Sequence, residues 1–397
     1  MDPILLIIPV VSALIGWGTN ALAIRMLFSP TERKGWGVFS WQGVLPSHAE
    51  RMAKMCVELM TSRLLDVKQV FSRIDAEKVS EIIGPTLEQH TEAIVEEVIA
   101  QHYPKLWAKM PERLREKGRQ RLRAEIPKVV EKLINELGEN LDDYLDVESL
   151  VVDSFVRDRK LVNELFWECG RNEFLFIARS GLIFGGLFGS IQAVIWHFTQ
   201  PHWFLPVTGL LVGWATNWLA LKMVFEPLEP KRIFGLKWQG LFLRRQKEVS
   251  EAYARFFATR ILHPEALVTA VLTGPAAEQL IDQVKIYANE SVDQAAGLAR
   301  PLMALASGSS DWDGLKTEIS GRLIFVVPQA LGEVHGYAEE ALDLKESLES
   351  NLRGLPPAEF EGVLRPIFQE DENTLIAVGA VLGAVAGTIQ FLAVTSL

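Results

Sequence analysis

Two stretches of this 397-residue chain share half of their residues. The first, Gly16 to Gly43, reads GWGTNALAIRMLFSPTERKGWGVFSWQG, and the second, Gly213 to Gly240, reads GWATNWLALKMVFEPLEPKRIFGLKWQG. They align without gaps at an offset of 197 residues, and 14 of 28 positions are identical. The identities include Trp, Thr, Asn, Pro and Gln, which a shared apolar character does not explain. The pattern predicts a tandem duplication.

Each stretch begins inside a long apolar segment, and the chain has four such segments. They are residues 3–28, 174–198, 202–225 and 374–395. About 20 apolar residues cross a hydrocarbon core about 30 Å thick. Arg25, Arg179 and Lys222 carry the only Lys, Arg, Asp or Glu charges within them. Each lies near one end, where its long stem can reach the headgroups. The sequence therefore predicts a mainly α, polytopic membrane protein with four transmembrane helices.

The duplication includes the returning segment of each half. GGLFGSIQ (Gly185 to Gln192) pairs with GAVAGTIQ (Gly383 to Gln390) at an offset of 198 residues. Each half thus enters the membrane, leaves it and returns, which predicts parallel repeats related by an axis along the membrane normal. The first half is residues 1–198 and contains the long polar region 29–173. The second half is residues 199–397 and contains the long polar region 226–373.

The basic residues predict the orientation. Lys and Arg residues near the four segments all lie on the side of the long polar regions, and the connector Thr199 to Pro201 has none. The positive-inside rule then places both long regions in the cytoplasm and both termini outside. Trp196 and Trp203 flank the connector and suit an outer aromatic belt. Three- and four-residue apolar spacing predicts that the two cytoplasmic regions are helical domains.

Small residues form a stripe on each returning span. The stripes are Gly181, Gly185 and Gly189 in the first half, and Gly379, Gly383 and Gly387 in the second. A stripe with this four-residue spacing lets another helix approach closely. We therefore expect helix packing, and a glycine-lined pore is the alternative.

Polar side chains recur within the spans. They are Thr19, Asn20, Thr216 and Asn217 toward the cytoplasmic ends, and Gln192 and Gln390 near the outer ends. Buried amides in lipid hydrogen-bond across helices for about 1 kcal/mol. We expect them to join helices, with the two glutamines able to meet each other across the pseudo-twofold axis. A substrate or ion contact is the alternative.

A short hairpin is predicted after each entering span. Pro30 and Pro227 end the helices, and glycines allow a tight turn. Arg25 and Lys222 precede the prolines at the membrane interface, while Trp36, Trp41 and Trp238 are expected to anchor the hairpins at the inner headgroups.

Residues 109–132 carry nine Lys or Arg against four Asp or Glu. Such a helix can lie on anionic lipid or bind an acidic cytoplasmic protein, or it can be a solvated helix of a bundle. All of these interpretations stay open. The second half lacks this basic block.

Composition and motifs exclude several functions. The net charge of −10 argues against nucleic-acid binding, and two cysteines leave no thiol set for structural zinc. The chain has no phosphate-binding loop, nucleophile elbow or zinc-protease motif. We therefore expect no enzyme activity, no metal and no cofactor.

The first stretch, with the following Pro46 and the later Met60 to Leu65 (MTSRLL), resembles the YheB/YjiN-like bacterial membrane proteins, the domain of unknown function 445 family. The resemblance covers the start of each half and implies a protein of the inner membrane. In this family Gly-Leu-Ile-Pro-Lys follows the hairpin, where this chain has Gly43 to Ser47 (GVLPS) and Gly240 to Arg244 (GLFLR). It implies no catalytic residues.

Two functions are consistent with this sequence. The leading hypothesis is a non-enzymatic scaffold in the bilayer that presents cytoplasmic helical domains and self-associates. The alternative is a transporter, channel or lipid-handling protein with a path between spans or along amphipathic helices.

Overall fold

Apolar segments and amphipathic stretches alike fold as helices in a computed structural model that describes residues 3–37, 40–199, 203–233, 236–297 and 309–395. The α-helices are α1 (Pro3–Phe28), α2 (Val44–Ser47), α3 (Ala49–Leu59), α4 (Val67–Phe71), α5 (Ala76–His102), α6 (Pro104–Lys109), α7 (Glu112–Glu139), α8 (Leu141–Tyr144), α9 (Val147–Arg157), α10 (Lys160–Thr199), α11 (Phe204–Phe225), α12 (Leu241–Arg244), α13 (Gln246–Phe256), α14 (Pro264–Thr273), α15 (Ala277–Ala296), α16 (Ser309–Leu323), α17 (Val327–Gly332), α18 (His335–Leu342), α19 (Leu344–Gly354) and α20 (Pro357–Thr395). Two π-helical turns are Met60–Leu64 and Phe257–Ile261, and two strands are β1 (Lys231–Ile233) and β2 (Leu236–Trp238). The mainly α prediction is confirmed.

Three helices are long and apolar enough to cross a membrane in the described part of the chain. They contain Ile7–Phe28, Lys160–Phe198 and Phe204–Phe225. Within α20 the apolar stretch Ile376–Leu392 is shorter. The fourth span therefore stays a prediction, and part of the predicted connector lies outside the described residues.

Proline ends the entering helices, as expected. A proline disfavours the helical conformation of the residue before it, and α1 accordingly ends at Phe28, two residues before Pro30. The chain then folds into a short hairpin in which Lys34 and Trp41 exchange backbone hydrogen bonds of 2.9 and 2.7 Å. After α11, β1 and β2 pair antiparallel, with Lys231 opposite Trp238. The arms of both predicted hairpins are paired, and their tips, residues 38–39 and 234–235, lie outside the described residues.

Contacts divide the chain into two compact units. Unit 1 contains Met1–Leu64, Val151–Phe256 and Lys345–Leu397, and unit 2 contains Leu65–Leu150 and Phe257–Leu344. Each unit thus combines segments from both sequence halves. The duplication is inferred from the sequence and stays a prediction. Several elements of the second half lie 197 residues after those of the first: α12 follows α2, α13 follows α3, and the second π-helical turn follows the first.

Unit 1 contains the long apolar helices. Helix α1 packs along α10, and α11 packs along α20; α10 also contacts α11, and α1 contacts α20. Aromatic rings pack against one another in this unit. Phe28 packs edge-on against Phe174 with centroids 5.0 Å apart, and Phe242 stacks on Phe360 at 4.9 Å.

Unit 2 is a bundle of amphipathic helices. Helix α5 packs against α7 and α16, and α15 packs against α7 and α16. Its core includes Val98 and Tyr103 from the first half, with Trp312, Leu315 and Ile319 from the second. Asp75 begins α5 by accepting a hydrogen bond from the backbone N–H of Glu77 at 2.9 Å.

Candidate functional site

Asn20 joins the two long helices of the first half. It is fully buried on α1, and its Nδ2 donates to the backbone carbonyl oxygen of Ile177 on α10 at 2.7 Å. Its Oδ1 has no hydrogen-bond partner among the described residues. Thr19 bonds within its own helix, from Oγ1 to the carbonyl oxygen of Gly16 at 3.1 Å. Of the two predicted polar residues, Asn20 is therefore the one that links helices.

The second half repeats this arrangement on α11. Thr216 donates from Oγ1 to the Gly213 carbonyl oxygen at 3.2 Å. The Asn217 amide lies against Gly379 of α20, so closely that a Cβ at that glycine would overlap its Nδ2. In the first half, a Cβ at Gly181 would lie 2.8 Å from the Asn20 Nδ2. Each asparagine therefore lies against a glycine of the returning helix.

The first glycine stripe lies directly against the backbone of α1. A Cβ at Gly181 would overlap the carbonyl oxygen of Gly16, and one at Gly185 would lie 3.1 Å from the Cα of Ala13. At Gly189 an added Cβ would lie 2.6 Å from the Cβ of Ser12. Real Cβ contacts are not this short, so only glycine permits this separation between the helices.

The second stripe makes the same contacts with α11. A Cβ at Gly379 would lie 2.8 Å from the Gly213 carbonyl oxygen, and one at Gly383 would lie 3.2 Å from the Gly213 Cα. Gly387 is equally close to the backbone, with an added Cβ 3.1 Å from the Cα of Pro206. All six glycines of the two stripes therefore face a helix backbone.

Gln192 and Gln390 have different surroundings. Gln192 accepts from the Ser12 hydroxyl at 3.1 Å and donates from Nε2 to the Thr208 hydroxyl of α11 at 2.6 Å. Gln390 is 5% exposed, and its Nε2 has no hydrogen-bond partner among the described residues. At the repeat offset, Gly209 replaces Ser12 and supplies no hydroxyl. Gln192 thus joins the two halves through Thr208. Its hydrogen-bond partners are Ser12 and Thr208, whereas the sequence suggested that it could meet Gln390.

The interfacial tryptophans separate into exposed and buried residues. Trp36 is 93% exposed and Trp203 is 64% exposed, while Trp41 and Trp238 are exposed to a smaller extent. Trp196 is instead buried, because it packs with Phe204, Ile8 and other apolar residues in a core cluster. Exposure suits the four exposed rings to an interface, whereas Trp196 fills space between helices.

The basic residues at the ends of the entering helices also differ. Arg25 is exposed at the end of α1 and has no ion pair within the described residues. Lys222 lies 3.6 Å from the Glu226 carboxylate and 5.0 Å from the ring centre of Trp218. The charge of Lys222 is thus partly compensated within its own half.

The basic stretch 109–132 lies largely on α7 and has acidic partners in unit 2. Arg119 contacts carboxylates of Glu96, Glu112 and Glu116 at 2.7, 2.5 and 2.7 Å. Its hydrogen bond and positive charge lower the pKa of Glu116, although burial opposes the shift. Helix α5 supplies Glu96, which the sequence did not associate with this stretch.

Further cations of the stretch follow the same pattern. Arg123 lies 2.5 Å from Glu92 and Lys132 lies 2.8 Å from Glu290. These acidic partners come from α5 and α15. Lys109, Arg113 and Lys117 have no ion pair among the described residues.

The described residues contain no group of three or more His, Cys, Asp or Glu side chains that could hold a metal ion. The two cysteines are buried in unit 1, and burial raises the pKa of Cys56 to about 12. Tyr253, its equivalent at the repeat offset, donates from its hydroxyl to the Cys56 carbonyl oxygen at 3.4 Å. These thiols serve as packing groups in the fold.

Comparison with known proteins identifies relatives of part of this chain. No family model matches the chain. A UPF0754 membrane protein of Synechococcus sp. (strain JA-2-3B'a(2-13)) is 34% identical over 77 residues, 18% of each chain. The UPF0754 membrane protein YheB of Bacillus subtilis (strain 168) is 28% identical over 122 residues, 28% of this chain and 32% of YheB.

The resemblance to YheB-like membrane proteins is confirmed. The chain covers less than a third of the length of these relatives, so the similarity extends to part of each protein. Their names and the long apolar helices together indicate a membrane location. The matches do not include the duplication, which rests on sequence alone.

Proposed function

We propose that this YheB-like chain is a non-enzymatic scaffold of the bacterial inner membrane. It has four spans, both long polar regions in the cytoplasm and both termini outside. The main support is the contact between helix backbones along both glycine stripes, which leaves no room even for a methyl group at Gly181 or Gly379. Helices packed in this way form a rigid base that presents the amphipathic helices to partners and to further copies.

The buried polar side chains favour a scaffold over a conduit. Asn20 and Gln192 bond to groups on neighbouring helices, so these amides stabilise assembly in lipid. A conduit would instead need polar groups that face water or cargo. Gln390, with its uncompensated Nε2, is the side chain that a conduit would use first.

Water accessibility tests the scaffold directly. Ser12→Cys in purified protein in lipid vesicles is expected to resist a charged thiol reagent, because Ser12 is buried against Gly189 and Gln192. Trp36→Cys is the reactive control, and the buried native thiols contribute little background. Rapid labelling of Ser12→Cys, or protein-dependent ion or lipid flux in the same vesicles, would contradict the scaffold.

Topology has a separate test. Fusion of a periplasmic phosphatase after Leu397 is expected to give activity, and fusion of a fluorescent protein that matures in the cytoplasm is expected to give none. Fusions within 226–373 should show the opposite pattern. A fluorescent fusion after Leu397 without phosphatase activity would refute the four-span arrangement.

The exposed cations of the stretch 109–132 are the proposed partner surface. Lys109, Arg113 and Lys117 are the three to replace by glutamine together, because Arg119 and Arg123 already bind carboxylates of this chain. Loss of an acidic cytoplasmic partner or of anionic-vesicle binding would support the surface. Replacement of Arg119 would also remove its ion pairs within this chain, so a loss of binding could not be separated from a loss of stability.

Lipid handling is the second candidate, and unit 2 provides the observation that favours it. A cavity of about 240 Å³ lies among α5, α7, α15 and α17, and its lining is almost wholly apolar. A second apolar cavity of about 150 Å³ shares Val79, Leu137 and Leu280 with it. Apolar cavities of such size accept apolar ligands rather than water.

Lipid extraction tests this candidate. The native protein is purified in detergent, and its copurified acyl chains are counted against those of Ala288→Phe, which fills the wall of the larger cavity. Ala124→Phe places the same ring at an exposed position of α7, outside both apolar cavities, and is the control. Equal acyl content in all three proteins would eliminate unit 2 as a lipid carrier.

A further inference from the structure

A basic pocket lies where the first entering helix leaves its apolar segment. It has a volume of about 980 Å³ and belongs wholly to unit 1. One wall is the end of α1 with the first arm of its hairpin, and the other is the turn between α9 and α10. Asn163 holds the walls together, because its Nδ2 donates to the Phe28 carbonyl oxygen at 2.8 Å.

Six cations line this pocket, against the two carboxylates of Glu32 and Asp158. The cations are Arg25, Arg33, Lys34, Arg157, Arg159 and Lys160. The lining therefore has an excess of four positive charges. So dense a cluster repels itself unless an anion compensates it.

The acidic groups of the chain compensate this cluster only in part, since Arg157 lies 3.9 Å from the Asp153 carboxylate. The Asp158 carboxylate accepts a hydrogen bond from the backbone N–H of Lys160 at 3.0 Å, where it starts α10. Arg33 bonds through Nε to the neutral Ser40 hydroxyl at 2.8 Å. Arg25, Arg159 and Lys160 have no ion pair among the described residues.

The equivalent place in the second half has lost these features. At the offset of 197 residues, Gly354, Leu355, Pro356 and Pro357 replace Arg157 through Lys160. Lys222 and Arg365 there each lie 3.6 Å from a Glu226 carboxylate oxygen. The basic pocket is thus a property of the first half and not of the repeat.

We propose that this pocket binds the phosphodiester headgroup of an anionic phospholipid. The apolar side chains of Leu22 and Met26 line the same pocket on the membrane side. An acyl chain can therefore lie along α1 while the phosphate contacts the cations. Trp41, whose indole N–H donates to the Ser29 carbonyl oxygen at 3.3 Å, fixes an amphipathic ring at the same level.

Both the chemistry and the position favour a lipid over a free anion. Basic pockets beside membrane helices bind anionic headgroups, and each cation near an anionic surface contributes about 1 kcal/mol. A free phosphate would make no use of Leu22 and Met26. The inference rests on the membrane location and applies whether the spans form a scaffold or a conduit.

Lipid retention by the full-length protein tests the proposal. The protein is mixed in detergent with equal amounts of phosphatidylglycerol and phosphatidylcholine, and the lipids that remain bound are measured by native mass spectrometry. The native protein should retain phosphatidylglycerol preferentially. R157Q/R159Q/K160Q should weaken that retention at least about tenfold. R157K/R159K/K160R keeps the charges and should restore it.

Matched variants make the result decisive. K222Q/K231Q/R232Q removes three cations from the end of α11 and its hairpin in the second half and should leave retention unchanged. Thermal unfolding of each variant separates lost binding from lost folding. An equal effect of both sets of substitutions, or no preference for phosphatidylglycerol, would overturn the proposal. Displacement of the lipid by inorganic phosphate alone at similar concentration would assign the pocket to a free anion instead.

Discussion

The helix pairs α1–α10 and α11–α20 are built with the same contacts, whereas the turns at their ends differ in charge. Both pairs place glycines against a backbone and an asparagine against a glycine. At the turns, Arg159 and Lys160 of the first half correspond to Pro356 and Pro357 of the second. The comparison shows that packing in lipid tolerates little change, because dispersion across a close contact depends steeply on distance. A solvent-facing turn has no such constraint.

The largest expected effect comes from filling the close contact. Gly181→Ala and Gly379→Ala should each reduce the free energy of unfolding by about 3 kcal/mol, because the added methyl group meets backbone that cannot move aside. Thermal unfolding in detergent measures the change. Gly18→Ala is the control, since an added Cβ there meets nothing within 4 Å. Similar losses of stability in both helix pairs would support equivalent packing. A loss confined to one pair would show that the two pairs pack differently.

Removal of the asparagine amides should have the next largest effect. Asn20→Leu removes the 2.7 Å hydrogen bond to Ile177 and should cost about 1 kcal/mol. Asn217→Leu should cost about as much, because its amide occupies the equivalent position. Assembly in detergent and flux in vesicles are measured on the double variant. Normal assembly with lost flux would move the asparagines from packing to transport.

The glutamines should separate the two halves. Gln192→Leu removes bonds to Ser12 and Thr208 and should destabilise by about 0.6 kcal/mol. Gln390→Leu replaces a buried amide whose Nε2 lacks a partner among the described residues, so it should be neutral or stabilising. Chemical unfolding of both variants is the measurement. Equal destabilisation would mean that Gln390 has a polar contact comparable to that of Gln192.

The prediction with the smallest effect at neutral pH concerns Cys56, whose repeat equivalent is Tyr253. Burial raises the pKa of Cys56 to about 12 from its ordinary value of 9.0. The unfolded chain therefore loses this proton first, and the contribution to stability declines as the pH rises from 9.0 toward 12. Cys56→Ala should make the total decline smaller in a comparison of unfolding at both pH values, while burial also raises the pKa of Cys169 and of Tyr253 and their contributions remain. An unchanged pH dependence would show that the thiol ionises equally in both states.

Much of the architecture was predictable, because the membrane imposes length and proline imposes helix ends. The segment 3–28 coincides with α1, and Pro30 and Pro227 mark the start of both hairpins. The partners of the long side chains were less predictable. The acidic residues that compensate Arg119 and Arg123 come partly from α5, which no local pattern linked to the basic stretch.

The sequence by itself determines the length of the apolar segments, the spacing of the glycines and the ends of the helices. Each of these features depends on residues within a few helical turns of one another. The partners of Gln192, the burial of Trp196 and the joining of Arg25 with Lys160 around one pocket depend on segments far apart in the chain. Such contacts require the helices to be placed in space, because hydrogen bonds and ion pairs depend on distances of a few ångströms. A sequence records which residues are available for these contacts, and packing selects those that meet.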